Sequence, residues 1–369
     1  MRPVAAVAAA ALAFAAAIGA PGVPAAEPGD LVRRADEALG AGRLDEGRDL
    51  LEEAVAARPD APGIRLRLAA ALLRAGDLRA ARREVDRVLE LAPDDAAARE
   101  LSGDLHYRAG ELNLAGGEWE AAARSAASHA LAAKLEQARR EMDAEQGLDR
   151  ETSRNFAVLY DDRVPRELVQ GFFRSLDEAF EMLRDELGDS PRDPIIVILY
   201  SGAAFSDVTR APHWVGGLYD GKIRVPVGGL ESIEEAAGLL GILVHEMTHA
   251  FLHRMAPEGL PRWFGEGLAT RFQGLEPDEA RAWLERHPAP DLATLAALDR
   301  ALVGRGGDVN AAYAAATLAV AEIVDARGFG AVRRIVGAVG AGMPFGTALE
   351  DDGRMTPAEL EERWRRGLP

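Results

Sequence analysis

Hydrophobic and polar positions divide the chain into stretches of different period. Apolar residues run from Val4 to Ala20 behind a single early cation, Arg2. From about residue 30 to 134 they recur at helical spacing, as in Leu50, Leu51, Ala54 and Val55, then Val85, Val88 and Leu89. Trp119 to Gln146 reads as one long helical stretch. From Asn155 the period shortens. "NFAVLYDD" and "PIIVILYS" (Pro194 to Ser201) predict strands. Between them Leu168, Phe172, Leu176, Phe180 and Leu183 predict a helix over Pro165 to Leu187. In "WVGGLYDGKIRVPV", Asp220-Gly221 is a hairpin signal between two strands, and Lys222 to Val227 is expected as an exposed edge strand. Glu234 to Arg254 is a long apolar helix. An all-α first part followed by a small sheet and further helices makes the fold class α+β.

The helical part repeats. "AGRL" begins at Ala41, "AGDL" at Ala75 and "AGEL" at Ala109, an offset of 34 each time, and Pro59 and Pro93 share it. Two helices and a glycine turn closed by proline, at this period, resemble the tetratricopeptide repeat. The family's tryptophan is missing, and the third repeat is read as carrying extra residues around Asn113 to Glu118. Each helix pair has an apolar face that only a stacked neighbour can bury. Such a stack offers a concave surface to a protein partner, or merely positions the next domain. The expected organisation is a signal peptide over 1–26, a repeat domain over 27–146 and a further domain over 150–369.

Composition narrows the function. The net charge is −17 over 369 residues, which excludes nucleic acid and an anionic membrane surface as charge-driven partners. The chain has no cysteine, so thiolate metal sites and disulfides are excluded. Arg2, the apolar run and the small residues Val23, Ala25 and Ala26 have the layout of a cleavable signal peptide. Export to the periplasm or medium is expected, with no stable membrane span after cleavage; an uncleaved anchor is the alternative. Gly304 to Gly307 lacks a phosphate-loop lysine and reads as a turn.

The chemistry lies in "ILVHEMTHAFLHRM", residues 242 to 255. Residues four apart share a helix face, so His245 and His249 can meet one zinc ion at about 2.0–2.1 Å each. Glu246 projects beside that metal and can take a proton from a zinc-bound water. His253 lies two turns, about 12 Å, beyond His245 along the axis, too far for one ion to bridge. Glu266 in "GLPRWFGEGLAT" is the candidate third ligand. Pro261 starts a new helix that returns antiparallel, and the flanking Gly265 and Gly267 allow close packing.

These residues resemble the gluzincin metallopeptidases, in particular the peptidase MA-like domain that often follows tetratricopeptide repeats. The likeness covers about residues 150 to 369 and rests on His245-Glu246-x-x-His249 followed by Trp263-x-x-Glu266-Gly267-x-Ala269. It implies zinc ligands at His245, His249 and Glu266, with Glu246 as catalytic base. Many gluzincins place an acid one turn after the glutamate ligand; here that position is Thr270, which leaves open what steadies the histidines. Tyr313, in "NAAYAAATLAVAEIV", resembles a family tyrosine and is the candidate oxyanion donor, ahead of Tyr219 and His213; packing alone is its other reading. The expected function is an exported zinc metalloendopeptidase acting on a peptide or protein substrate. The alternative is a repeat-based protein-binding scaffold with an inactive peptidase-like domain.

Overall fold

A computed structural model describes residues 27–161, 166–210, 216–227, 233–292, 294–303 and 308–368, without side chains for 166–168 and 233–237. The expected signal peptide 1–26, His213 and the Gly304–Gly307 turn lie outside the described residues.

Three helix pairs open the chain: α1 (Pro28–Gly40) with α2 (Leu44–Ala57), α3 (Pro62–Arg74) with α4 (Leu78–Leu91), and α5 (Ala96–Arg108) with α6 (Leu112–Ser125). Gly42, Gly76 and Gly110 turn each pair at φ +77°, +73° and +72°, a left-handed conformation that a side chain disfavours. Leu31, Leu51, Leu72, Val85 and Leu105 belong to one shared core. The third repeat carries no extra residues, contrary to the sequence reading: α6 has 14 residues, as α2 and α4 do. Nor is Trp119 to Gln146 one helix. It breaks after Ser125, and Ser128 caps α7 (His129–Glu145) by accepting from the Leu131 N–H.

The sheet follows: β1 (Leu148–Thr152), β2 (Phe156–Asp161), β3 (Ile195–Ser201), β4 (Leu218–Tyr219) and β5 (Ile223–Val227), in the order β1-β2-β3-β5-β4. β2, β3 and β5 are parallel; β1 and β4 join antiparallel. One face, with Phe156, Val158, Val197 and Leu199, packs on α8 (Arg166–Leu187) and α10 (Ile233–Met255). The other, with Ala157, Ile196 and Ile198, packs on α9 (Gly202–Thr209) and Ala144 of α7. Burial on both faces explains the unbroken apolar run of β3. The expectation that Lys222 to Val227 is an exposed edge is wrong. β5 lies between β3 and β4, and Lys222 and Arg224 are 1% and 0% exposed. Among the described residues the edges of the sheet are β1 and β4.

Those two cations are buried against α7. Lys222 Nζ lies 2.8 Å from Glu141 Oε2, and Arg224 reaches Glu141 Oε1 at 3.0 Å and the Tyr107 hydroxyl at 3.1 Å. Tyr200 of β3 donates to Glu145 at 2.8 Å. The last repeat helices are thereby fixed to the sheet.

After α10 come α11 (Arg262–Gln273), α12 (Pro277–Arg286), α13 (Leu295–Leu302), α14 (Val309–Arg327), α15 (Phe329–Gly340), α16 (Phe345–Asp351) and α17 (Pro357–Gly367). α14 is long and apolar enough to cross a membrane by length and composition, the one such helix among the described residues. Here it is the core of the helical layer, with Ala311 to Val320 buried apart from Tyr313.

Candidate metal centre

α10 carries His245 and His249 one turn apart, facing α11. After a short turn, α11 returns with its first two turns against α14. A β-carbon on Gly267 would collide with the carbonyl of Ala316, so only glycine permits this approach. Thr270 Oγ1 lies 2.7 Å from Thr317 Oγ1 across the same contact. Gly265 meets only Leu252 at 3.8 Å, an ordinary separation, so the close-packing role expected of both glycines belongs to Gly267 alone. This seating turns Glu266 toward α10.

Three ligand-type atoms converge there. His245 Nε2 and His249 Nε2 are 3.3 Å apart, and Glu266 Oε2 is 3.3 Å from each. A tetrahedral ion with bonds of about 2.0–2.1 Å sets its ligands roughly 3.3–3.4 Å apart. The triangle therefore has the edge length that a zinc-sized ion requires. It is the one group of three or more His, Cys, Asp or Glu with metal-holding geometry among the described residues. Burial alone would raise the Glu266 pKa, but the two facing imidazoles outweigh it and hold the carboxylate well below its ordinary range.

What steadies His245 is Gln273, a residue the sequence reading missed. Its Oε1 lies 3.1 Å from His245 Nδ1. An Nδ1–H donated to that amide leaves the Nε2 lone pair free for the cluster. Gln273 stands seven residues, two helical turns, after Glu266, and that spacing is a signal the sequence did hold. Thr270, where the likeness to gluzincins leads one to expect an acid, donates instead to the Glu266 and Gly267 carbonyls and lies against Thr317.

Glu246 is 8% exposed and borders β4. A β-carbon on Gly217 would stand 2.9 Å from its Oε1, so the glycine leaves room for the carboxylate. Burial pushes its pKa to about 7, with the Glu266 charge adding to the rise; His245 and the Tyr219 backbone N–H act against it. Tyr313 faces the cluster, its ring centroid 6.0 Å from that of His245 at 83°. Burial, then the charges of Glu266 and Glu246, push its phenol up to about 12, so it stays a donor at neutral pH. Tyr219 stacks edge-on against His253, 6.1 Å away, and His253 lies outside the cluster.

The family comparison bears on the N-terminal helices. A tetratricopeptide repeat family model matches residues 38–105. No curated protein matches the chain. Among solved structures the chain is similar to the tetratricopeptide repeat domain of P58(IPK), at 14% identity and a TM-score of 0.32, covering 93% of this chain and 98% of that one. The N-terminal part is thus a helical tetratricopeptide-type solenoid, a scaffold that suggests a protein partner. The comparisons offer no support for a peptidase.

Proposed function

We propose that the chain is a zinc-dependent peptidase with a protein-binding repeat unit, exported by its first 26 residues. The observation that carries this reading is the His245–His249–Glu266 triangle, each side 3.3 Å. His245, His249 and Glu266 would hold a zinc ion, which would supply Lewis acidity and bring the pKa of a water there to about 7. Glu246, buried beside the triangle and outside it, takes the proton of the attacking water and returns it to the leaving amine. The Tyr313 hydroxyl donates to the oxygen on which charge develops. The free edge of β4, whose Tyr219 N–H reaches Glu246, offers backbone groups to an extended peptide.

The second reading is a repeat-based protein-binding scaffold whose second domain does no chemistry. The family match favours it, because that match lies wholly within the repeats. Hydrolysis of unfolded casein separates the two. The peptidase reading expects cleavage by the zinc-loaded protein and none by Glu246→Gln, with the metal retained in both. A wild type that neither holds zinc nor cuts casein leaves the scaffold.

A further inference from the structure

Between the repeat unit and the sheet domain lies a cavity of about 80 Å³. That exceeds the about 10–15 Å³ a single water needs, so it admits a small charged group. Arg108 of α5, Arg192 before β3, Tyr219 and Gly221 of the β4–β5 hairpin, and His253 and Arg254 of α10 line it. Three arginines at one cavity are unexpected in a chain of net charge −17. Their local partners do not use them up. Arg192 pairs with Asp77 at 3.2 Å, and Asp193, the carboxylate in the lining, pairs with Arg79 at 3.1 Å. Arg254 bonds the Ala75 carbonyl at 3.3 Å and comes no nearer than 3.7 Å to Asp189, while its buried Nε has no partner. Arg108 bonds the Leu73 carbonyl at 3.4 Å and forms no ion pair among the described residues. A buried donor without an acceptor, as Arg254 Nε is, is costly, and a planar carboxylate is the acceptor that guanidinium groups fit best. Burial, then the Arg108 charge, lower the His253 pKa, so the positive charge at the cavity is that of the arginines.

The cavity continues the candidate site. Tyr219 touches Glu246 through its backbone and lines the cavity as well. His253 stands about 12 Å along α10 from His245, the span of three or four extended residues at roughly 3.3 Å each. A chain laid along β4 with its carbonyl at the triangle therefore brings one side chain to the cavity. Taking the peptidase reading as premise, we propose that the cavity is a specificity subsite. It accepts the side-chain carboxylate of an aspartate or glutamate three or four residues from the scissile bond, with Arg108 and Arg254 as the recognising groups.

The test uses zinc-loaded Glu246→Gln protein, immobilised, and random decapeptides amidated at the C-terminus. Retained peptides should be enriched in Asp or Glu at one position, by about ten- to a hundredfold over Asn or Gln. The same selection on protein that also carries Arg108→Gln should lose the enrichment; Arg108→Lys, which keeps the charge but not the fork, should keep part of it. The absence of acidic enrichment, or enrichment unchanged by Arg108→Gln and by Arg254→Gln, overturns the subsite. Enrichment seen only with free C-termini also overturns it, since the cavity then reads a chain end. Wild type should cut the selected peptides three or four residues from the acidic position. Acidic enrichment with no cleavage and no bound zinc removes the peptidase premise and leaves an acidic-peptide site. Cleavage without acidic preference does the reverse.

Discussion

Gln273 Oε1 on α11 stands 3.1 Å from His245 Nδ1 on α10, so the helix that brings Glu266 to the cluster also orients one of the histidines facing it. Outer partners of this kind typically contribute about 10–100-fold to metal affinity. Gln273→Leu, which fills the space but accepts nothing, should weaken zinc binding by that factor in competition with a chelator. An unchanged affinity would show that the amide does not hold the ring.

The seating of α11 on α14 depends on one glycine. Gly267→Ala drives a methyl group into the Ala316 carbonyl and should cost about 1–3 kcal/mol, measured by urea unfolding. Gly265→Ala, two residues away and facing only Leu252 at 3.8 Å, should be neutral or slightly stabilising, because alanine favours helix. Equal effects at the two positions would contradict the assignment.

Glu141 holds the repeats to the sheet. Burial works to raise its pKa, but Lys222 and Arg224 outweigh that and lower it below 4.5. A carboxylate depressed in the folded state adds stability above its ordinary pKa and loses it as pH falls through the folded value. Glu141→Gln leaves Lys222 buried without its ion-pair partner and Arg224 with Asp220 alone, and should cost about 3–5 kcal/mol at neutral pH. The gap from wild type should narrow in acid, below about pH 4.5. A gap independent of pH would mean that the charge of Glu141 is not what stabilises the junction.

Tyr313→Phe keeps the ring against His245 and removes only the hydroxyl. If that hydroxyl meets the oxyanion, turnover should fall about 10²–10³-fold with zinc affinity unchanged. Wild-type turnover would make Tyr313 a packing residue.

How far the sequence could be read depends on how local each signal is. The offset of 34 residues located the repeat turns, because each turn needs its glycine at positive φ. The helix carrying His245 and His249, and the return of Glu266, were legible from spacing and from Pro261. The burial of Lys222 and Arg224 was not. "KIRV" alternates as a half-exposed strand does, and Glu141, the carboxylate that both cations reach, is about 80 positions earlier on another helix; only Asp220, the second partner of Arg224, is local. β1, "LDRET", escaped notice because three of its five residues are charged and it faces solvent for much of its length. The break after Ser125 was masked by alanines that suit a helix on either side; only the Ser128 cap marks the restart.

The central claim is that His245, His249 and Glu266 hold one zinc ion while Glu246 stays outside its coordination. Titration of zinc into metal-free protein, followed calorimetrically, tests it most directly. The account predicts one ion per chain for wild type and for Glu246→Gln with like affinity, and a collapse of binding for Glu266→Ala. Zinc bound as tightly by Glu266→Ala as by wild type, or no zinc bound by wild type, would contradict it.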